Sequence, residues 1–162
     1  MPRYGWGHSP PPSKGRKETI VVSPSSRATP SGVLFNAVGV TPAYLSRTDH
    51  RSVARGSRNK WKIIARDEYD VFCASHTNSW LCSKEHNWGL RPGLAEIGTN
   101  GECIAKFPRP SNPADERHGY PVSAGDRRRE LEHRPPVPVT ADWRARGLIT
   151  DSQKARIDRG KV

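Results

Sequence analysis

At 162 residues and a net charge of +11, the chain has the size of one domain and the electrostatic bias of a protein that meets polyanions. Only 33% of its residues are apolar, while 15 prolines and 14 glycines punctuate it, so a compact core cannot run through the entire length. No stretch approaches the roughly 18 apolar residues of a membrane-spanning helix, and the odd number of cysteines, 3, points to a reducing compartment rather than to a disulfide framework.

Met1 to Lys17 contains Tyr4, Trp6 and Pro10-Pro11-Pro12 without a periodic apolar face, and reads as a flexible tail with polyproline character. It lacks the apolar centre of a secretory signal, and it lacks the amphipathic helix of an organellar leader although it is poor in acids. The expected location is therefore cytoplasmic. Thr19–Val22 and Val33–Val40 are short β-prone runs separated by a Ser/Pro-rich segment. Further on, Arg47, Arg51, Arg55, Arg58 and Lys60 recur at near-helical spacing with little apolar material opposite them. Such a face cannot fold by burial alone, and it predicts either a solvated arm or a segment that orders against phosphates. Residues 1–60 hold ten Lys/Arg against Glu18 and Asp49 only. The reading is a largely disordered basic arm over 1–60, followed by a small α+β domain over 61–162.

Trp61-Lys62-Ile63-Ile64-Ala65 reads as a strand, and Asp67–Phe72 leads directly into the densest chemistry of the chain, Cys73-x2-His76 and Cys82-x3-His86. Zinc takes four thiolate or imidazole ligands, and two such pairs joined by a short stretch can meet at one ion. Cys103 is an alternative fourth ligand. A zinc-binding loop at 73–86 is thus one expectation. The other is that Cys73 and Cys82 are small buried hydrophobes and His76 and His86 are loop residues. Trp80 and Trp88 flank the second pair, where they would either stack on unpaired bases or pack in the core.

Leu94–Ile97 and Glu102–Phe107 flank Gly98-Thr99-Asn100-Gly101, and Asn-Gly between apolar runs is a strong hairpin signal. The two-residue period then places Cys103, Ala105 and Phe107 on one face. Pro108 to Pro113 breaks the strand. Asp115-Glu116-Arg117-His118 follows, with the raw material for phosphodiester cleavage: His118 as general acid or base beside Asp115 and Glu116, and Arg117 to stabilise the charged transition state. The alternative is a solvated turn.

Gly125–His133 has helical character, and Arg134-Pro135-Pro136-Val137-Pro138 predicts an extended linker. Thr140 is read as the cap of a helix ended by Gly147. Thr150-Asp151-Ser152-Gln153 is a capping box for a second helix that stops at Gly160. That helix presents Lys154, Arg156 and Arg159, so the pair either contacts nucleic acid or caps the end of a domain.

Three function classes follow. The leading one is nucleic-acid binding, to RNA or DNA, with the arm supplying phosphate affinity. The others are a small nuclease, built on His118 and Arg117 or on a metal, and a protein-interaction module whose proline segments 10–12 and 135–138 dock in aromatic grooves.

Overall fold

The computed structural model describes residues 24–51, 59–126 and 130–162. Two three-stranded antiparallel sheets carry the β structure. The first runs β1 (Ser26–Thr29), β2 (Gly32–Phe35), β3 (Tyr44–Arg47), and the second β4 (Asn87–Leu90), β5 (Ile104–Phe107), β6 (Tyr120–Val122), each with its strands in that order. The fold is α+β, as composition and pattern predict.

The first sheet falls within the stretch expected to be a disordered arm, and that expectation fails for residues 24–51. Cross-strand pairing sets Phe35 opposite Tyr44, and Val33, two positions before Phe35, shares their face and packs on the same cluster. Phe35 and Tyr44 are then closed off from solvent by a helix distant in sequence. Arg55 and Arg58 lie outside the described residues.

That helix, α1 (Ala65–Thr77), forms where a lead-in to the Cys/His stretch was expected. Glu68, Tyr69, Phe72 and Ser75 recur at helical spacing and are all buried. The extended segment predicted at Trp61 is present, but as single bridges: Trp61 lies between Arg51 and Gly98, and Lys62 N–H donates to Ile97 O at 2.8 Å.

One buried constellation ties α1 to β3. Glu68, 0% exposed, accepts from Tyr44 OH at 2.6 Å, Ser46 Oγ at 2.8 Å and Arg51 Nη2 at 2.5 Å. Arg51 also donates to Ile63 O at 2.7 Å, which fixes the chain leading into α1.

The two sheets meet edge to edge. Tyr44 bridges Arg117 in parallel, with Leu45 N–H donating to Arg117 O at 2.7 Å and Arg117 N–H to Ala43 O at 2.8 Å. The second sheet is covered on both faces. Ala105 and Phe107 join the core cluster of Phe35, Tyr44, Trp61 and Phe72, whereas Ile104, Trp88 and Val122 join a second cluster with Trp80, Trp143, Ile149 and Ile157. The Asn-Gly turn forms with Gly101 at φ 83° and Ile97 N–H donating to Glu102 O at 2.8 Å. However, β5 pairs with β4 and β6 rather than with Leu94–Ile97.

At the C-terminus, α2 (Glu130–His133) precedes α3 (Val137–Ala145) and α4 (Asp151–Asp158). Pro136, not Thr140, is the N-cap of α3, and Pro138 sits in the first turn, where its missing N–H costs nothing. Val137 and Pro138 of the segment 135–138 therefore enter a helix, while Pro135 and the extended Pro136 precede it. Thr140 is buried inside α3 and its hydroxyl donates to Asp158 Oδ1 of α4 at 2.7 Å. The Thr150–Gln153 capping box is complete, Gln153 N–H donating to Thr150 Oγ1 and Thr150 N–H to Gln153 Oε1. Thr150→Ala should cost about 1 kcal/mol and lower the melting temperature by roughly 2–4 °C. An unchanged melt would show that α4 does not depend on its cap.

Candidate functional site

Helix α1 carries Cys73 and His76, while Cys82 and His86 close a short turn, with Cys82 N–H donating to His86 O at 3.1 Å. The two thiols stand against different cores: Cys73 packs on the Tyr44–Phe107 cluster and Cys82 on the Trp80–Trp143 cluster. His86 Nδ1 accepts from the backbone N–H of Arg109 at 3.0 Å. Cys103 is half-buried with its Sγ 3.4 Å from Gly101 O, and burial, then Glu96 and Glu102, push its thiol pKa up. Among the described residues no three His, Cys, Asp or Glu side chains are grouped to hold a metal ion.

The residues singled out for nucleic-acid contact divide sharply. Trp80 and Trp88 are only 3% and 2% exposed and cannot stack on a base. Trp80 is held edge-on to Trp143 at 5.8 Å and donates from Nε1 to Asp142 at 2.7 Å, because both tryptophans fill the space between the second sheet and the helical pair. Arg51 is committed to Glu68, and Lys60 is buried. Arg47 forks onto Asp49 at 2.9 and 2.8 Å. On α4, Lys154 pairs with Asp158, while Arg156 and Arg159 donate to backbone carbonyls at 3.3 and 2.9 Å.

The quartet Asp115, Glu116, Arg117 and His118 does not converge. Asp115 and Glu116 are exposed, and the extended backbone at the Tyr44 bridge turns its two neighbours to different surroundings. His118 packs beside His50, ring centroids 5.8 Å apart, and burial, followed by the charges of His50 and Arg47, lowers its pKa so that it is neutral near pH 7. Arg117 instead lines a cavity with His76.

That cavity has a volume of about 350 Å³ and is bounded by the end of α1, the Cys82–His86 turn and the segment after β5. His76, Ser79, Glu85, Asn87, Arg109 and Arg117 supply its polar wall, and Leu81, Pro110 and Pro113 its apolar one. Arg109 pairs with Glu85. Arg117 is half-buried, and its Nη1 has neither a hydrogen-bond partner nor access to water. Burial and the neighbouring charge of Arg109 both disfavour its cationic form, and Glu85 offsets them only in part. The carboxylate is paired with Arg109 and acts on Arg117 through its charge alone. His76 likewise keeps a closed-off Nδ1 without a partner, and burial and then Arg117 hold its pKa low.

No protein-family model, curated protein or solved structure matches the chain.

His76 and Arg117 are conspicuous in the sequence as residues of other chemistries, a metal loop and a catalytic quartet. Ser79, Glu85 and Arg109 carry no sequence signal that distinguishes them. Arg109 lies in the proline-rich break after β5, and only its position over the end of α1 makes it part of a site.

Proposed function

We propose that the protein binds nucleic acid through its phosphates, with Arg117 and Arg109 as the fixed contacts of the described part. The observation that carries this is the cavity lined by two arginines, in which Arg109 takes the Glu85 carboxylate and one guanidinium nitrogen of Arg117 lacks an acceptor. A half-buried guanidinium without an acceptor is costly to keep, and a phosphate oxygen is the partner that fits its fork. The net charge of +11 supplies long-range attraction to a polyanion of any sequence.

Fluorescence anisotropy of a labelled oligonucleotide against salt tests the reading. The log–log slope of affinity should be steep, near −0.7 per phosphate contact for a single strand and −0.9 for a duplex. Replacing Arg3, Lys14, Arg16 and Lys17 by Gln in the full chain should flatten the slope and weaken binding to all sequences about equally. Arg117→Met should weaken binding about tenfold through loss of a charge-assisted contact. Binding that is insensitive to salt, or absent in 50 mM salt, would remove the reading.

A further inference from the structure

Of the non-glycine residues with left-handed backbone among the described residues, Ser79 (φ 52°) and Glu85 (φ 58°) line the same cavity, and only Leu94 lies elsewhere. Both stand where local geometry favours glycine. Ser79 follows α1: its N–H donates to His76 O at 3.1 Å and that of Trp80 to Ser75 O at 3.0 Å, the paired bonds of a helix ending whose left-handed residue is usually Gly. Glu85 closes the next turn, donating from N–H to Cys82 O at 2.9 Å just before the Cys82–His86 pair, in a hairpin loop that also prefers glycine at its left-handed position. Both residues are exposed. Among the described residues Ser79 makes no side-chain hydrogen bond, and the Glu85 carboxylate is paired with Arg109. A side chain at each position strains the backbone, and packing within the fold does not offset that strain.

We propose that the cavity seats one terminal nucleotide of a nucleic-acid strand, its phosphomonoester held by Arg117, His76 and Ser79 and its nucleoside lying along Pro110 and the Glu85–Arg109 pair. This deepens the nucleic-acid reading and rests on it. The volume, about 350 Å³, sits at the low end of the roughly 300–1,000 Å³ range of small-molecule sites and leaves room beyond a bare phosphate. A terminal phosphomonoester carries close to two negative charges and three acceptor oxygens, which answers three donor-bearing residues, whereas an internal phosphodiester brings a single charge. Arg117 lines the cavity and its Nη1 has no acceptor within the described residues, so the oxyanion is the partner its guanidinium would take. The neutral His76 offers an N–H from one ring nitrogen, and Ser79 offers its hydroxyl.

The test uses the full chain and one labelled single strand in three forms: 5′-phosphorylated, 3′-phosphorylated and without a terminal phosphate. One phosphorylated form should bind about tenfold more tightly than the bare strand, and which of the two does so identifies the end that enters. Arg117→Met should erase that preference. Ser79→Gly and Glu85→Gly should each raise the melting temperature by about 2–4 °C while reducing the preference, an opposition that a purely structural role does not produce. Equal affinity for all three strands would overturn the proposal while leaving the nucleic-acid reading in place. So would glycine variants that keep the preference or fail to gain stability. If no strand binds at all, the nucleic-acid reading falls and the proposal falls with it.

Discussion

Glu68→Ala is expected to be among the most damaging single substitutions in this chain, at about 3–5 kcal/mol. The carboxylate is the common acceptor for Tyr44, Ser46 and Arg51, so its removal strands two hydroxyl donors and a guanidinium whose side chain is only 22% exposed. It also removes the hydrogen bonds that tie α1 to β3. Glu68→Gln keeps the shape and one acceptor oxygen and should lose less. The same residue gives stability a pH dependence. Burial raises the Glu68 pKa from its ordinary 4.5 to about 7, against the lowering effect of Tyr44, Arg51 and Ser46. A carboxyl whose folded pKa exceeds its unfolded one contributes stability that is full below the unfolded value and lost as pH rises to the folded value. The window is therefore pH 4.5 to about 7, and the loss across it is of the order of 3 kcal/mol. Urea unfolding at intervals through that window should show stability falling in the wild type and a flatter profile in Glu68→Gln. A wild type that gains stability relative to Glu68→Gln as pH rises through the window would sink the assignment.

What could be read from the sequence follows from how local each determinant is. The Thr150–Gln153 capping box and the Asn100-Gly101 turn form as expected because their bonds join residues within a few positions of each other. Sheet β1–β3 gives no such warning. Ser26 to Thr29 shows no apolar alternation and stays largely on the surface, and the sheet is stabilised by contacts of Phe35 and Tyr44 with α1, which span tens of residues. For α1 the apolar run ending at Ala65 masked a helical period that begins immediately after it. The candidate site shows the same division. Basic and imidazole side chains are visible as chemistry, but their grouping depends on which way extended backbone turns them, and Arg117 and His118, adjacent in sequence, end in different environments. Ser79 and Glu85 were illegible for a stricter reason: a left-handed residue is recognised in sequence by glycine or asparagine, and here neither is present.

Phe107→Ala should lose about 3–5 kcal/mol, a fall of roughly 10 °C in melting temperature at 2–4 °C per kcal/mol. Phe107 is fully buried and lies at the centre of an aromatic group, its ring centroid 5.4 Å from Phe72, 5.9 Å from Tyr44 and 6.3 Å from Trp61. The ring also fits against Gly119: a Cβ there would come within 2.2 Å of Phe107 Cδ1 and 3.0 Å of Lys106 O. Gly119 cannot move away easily, because its carbonyl accepts from Trp61 Nε1 at 3.0 Å and the chain just before His118 is bonded to the first sheet at Arg117. Gly119→Ala alone should therefore cost about 1–3 kcal/mol or more through overpacking. In the Phe107→Ala background the same methyl enters the space the ring has left. There, the two ring contacts are gone and the 3.0 Å approach to Lys106 O remains, and the double variant should be more stable than the sum of the two losses predicts, with a coupling energy of about 1–3 kcal/mol. Denaturant unfolding of the four proteins in this cycle measures that coupling directly. Strict additivity would mean that the ring and the glycine do not share the space, and that the contact between β5 and the strand following Arg117 is not what closes the first core cluster.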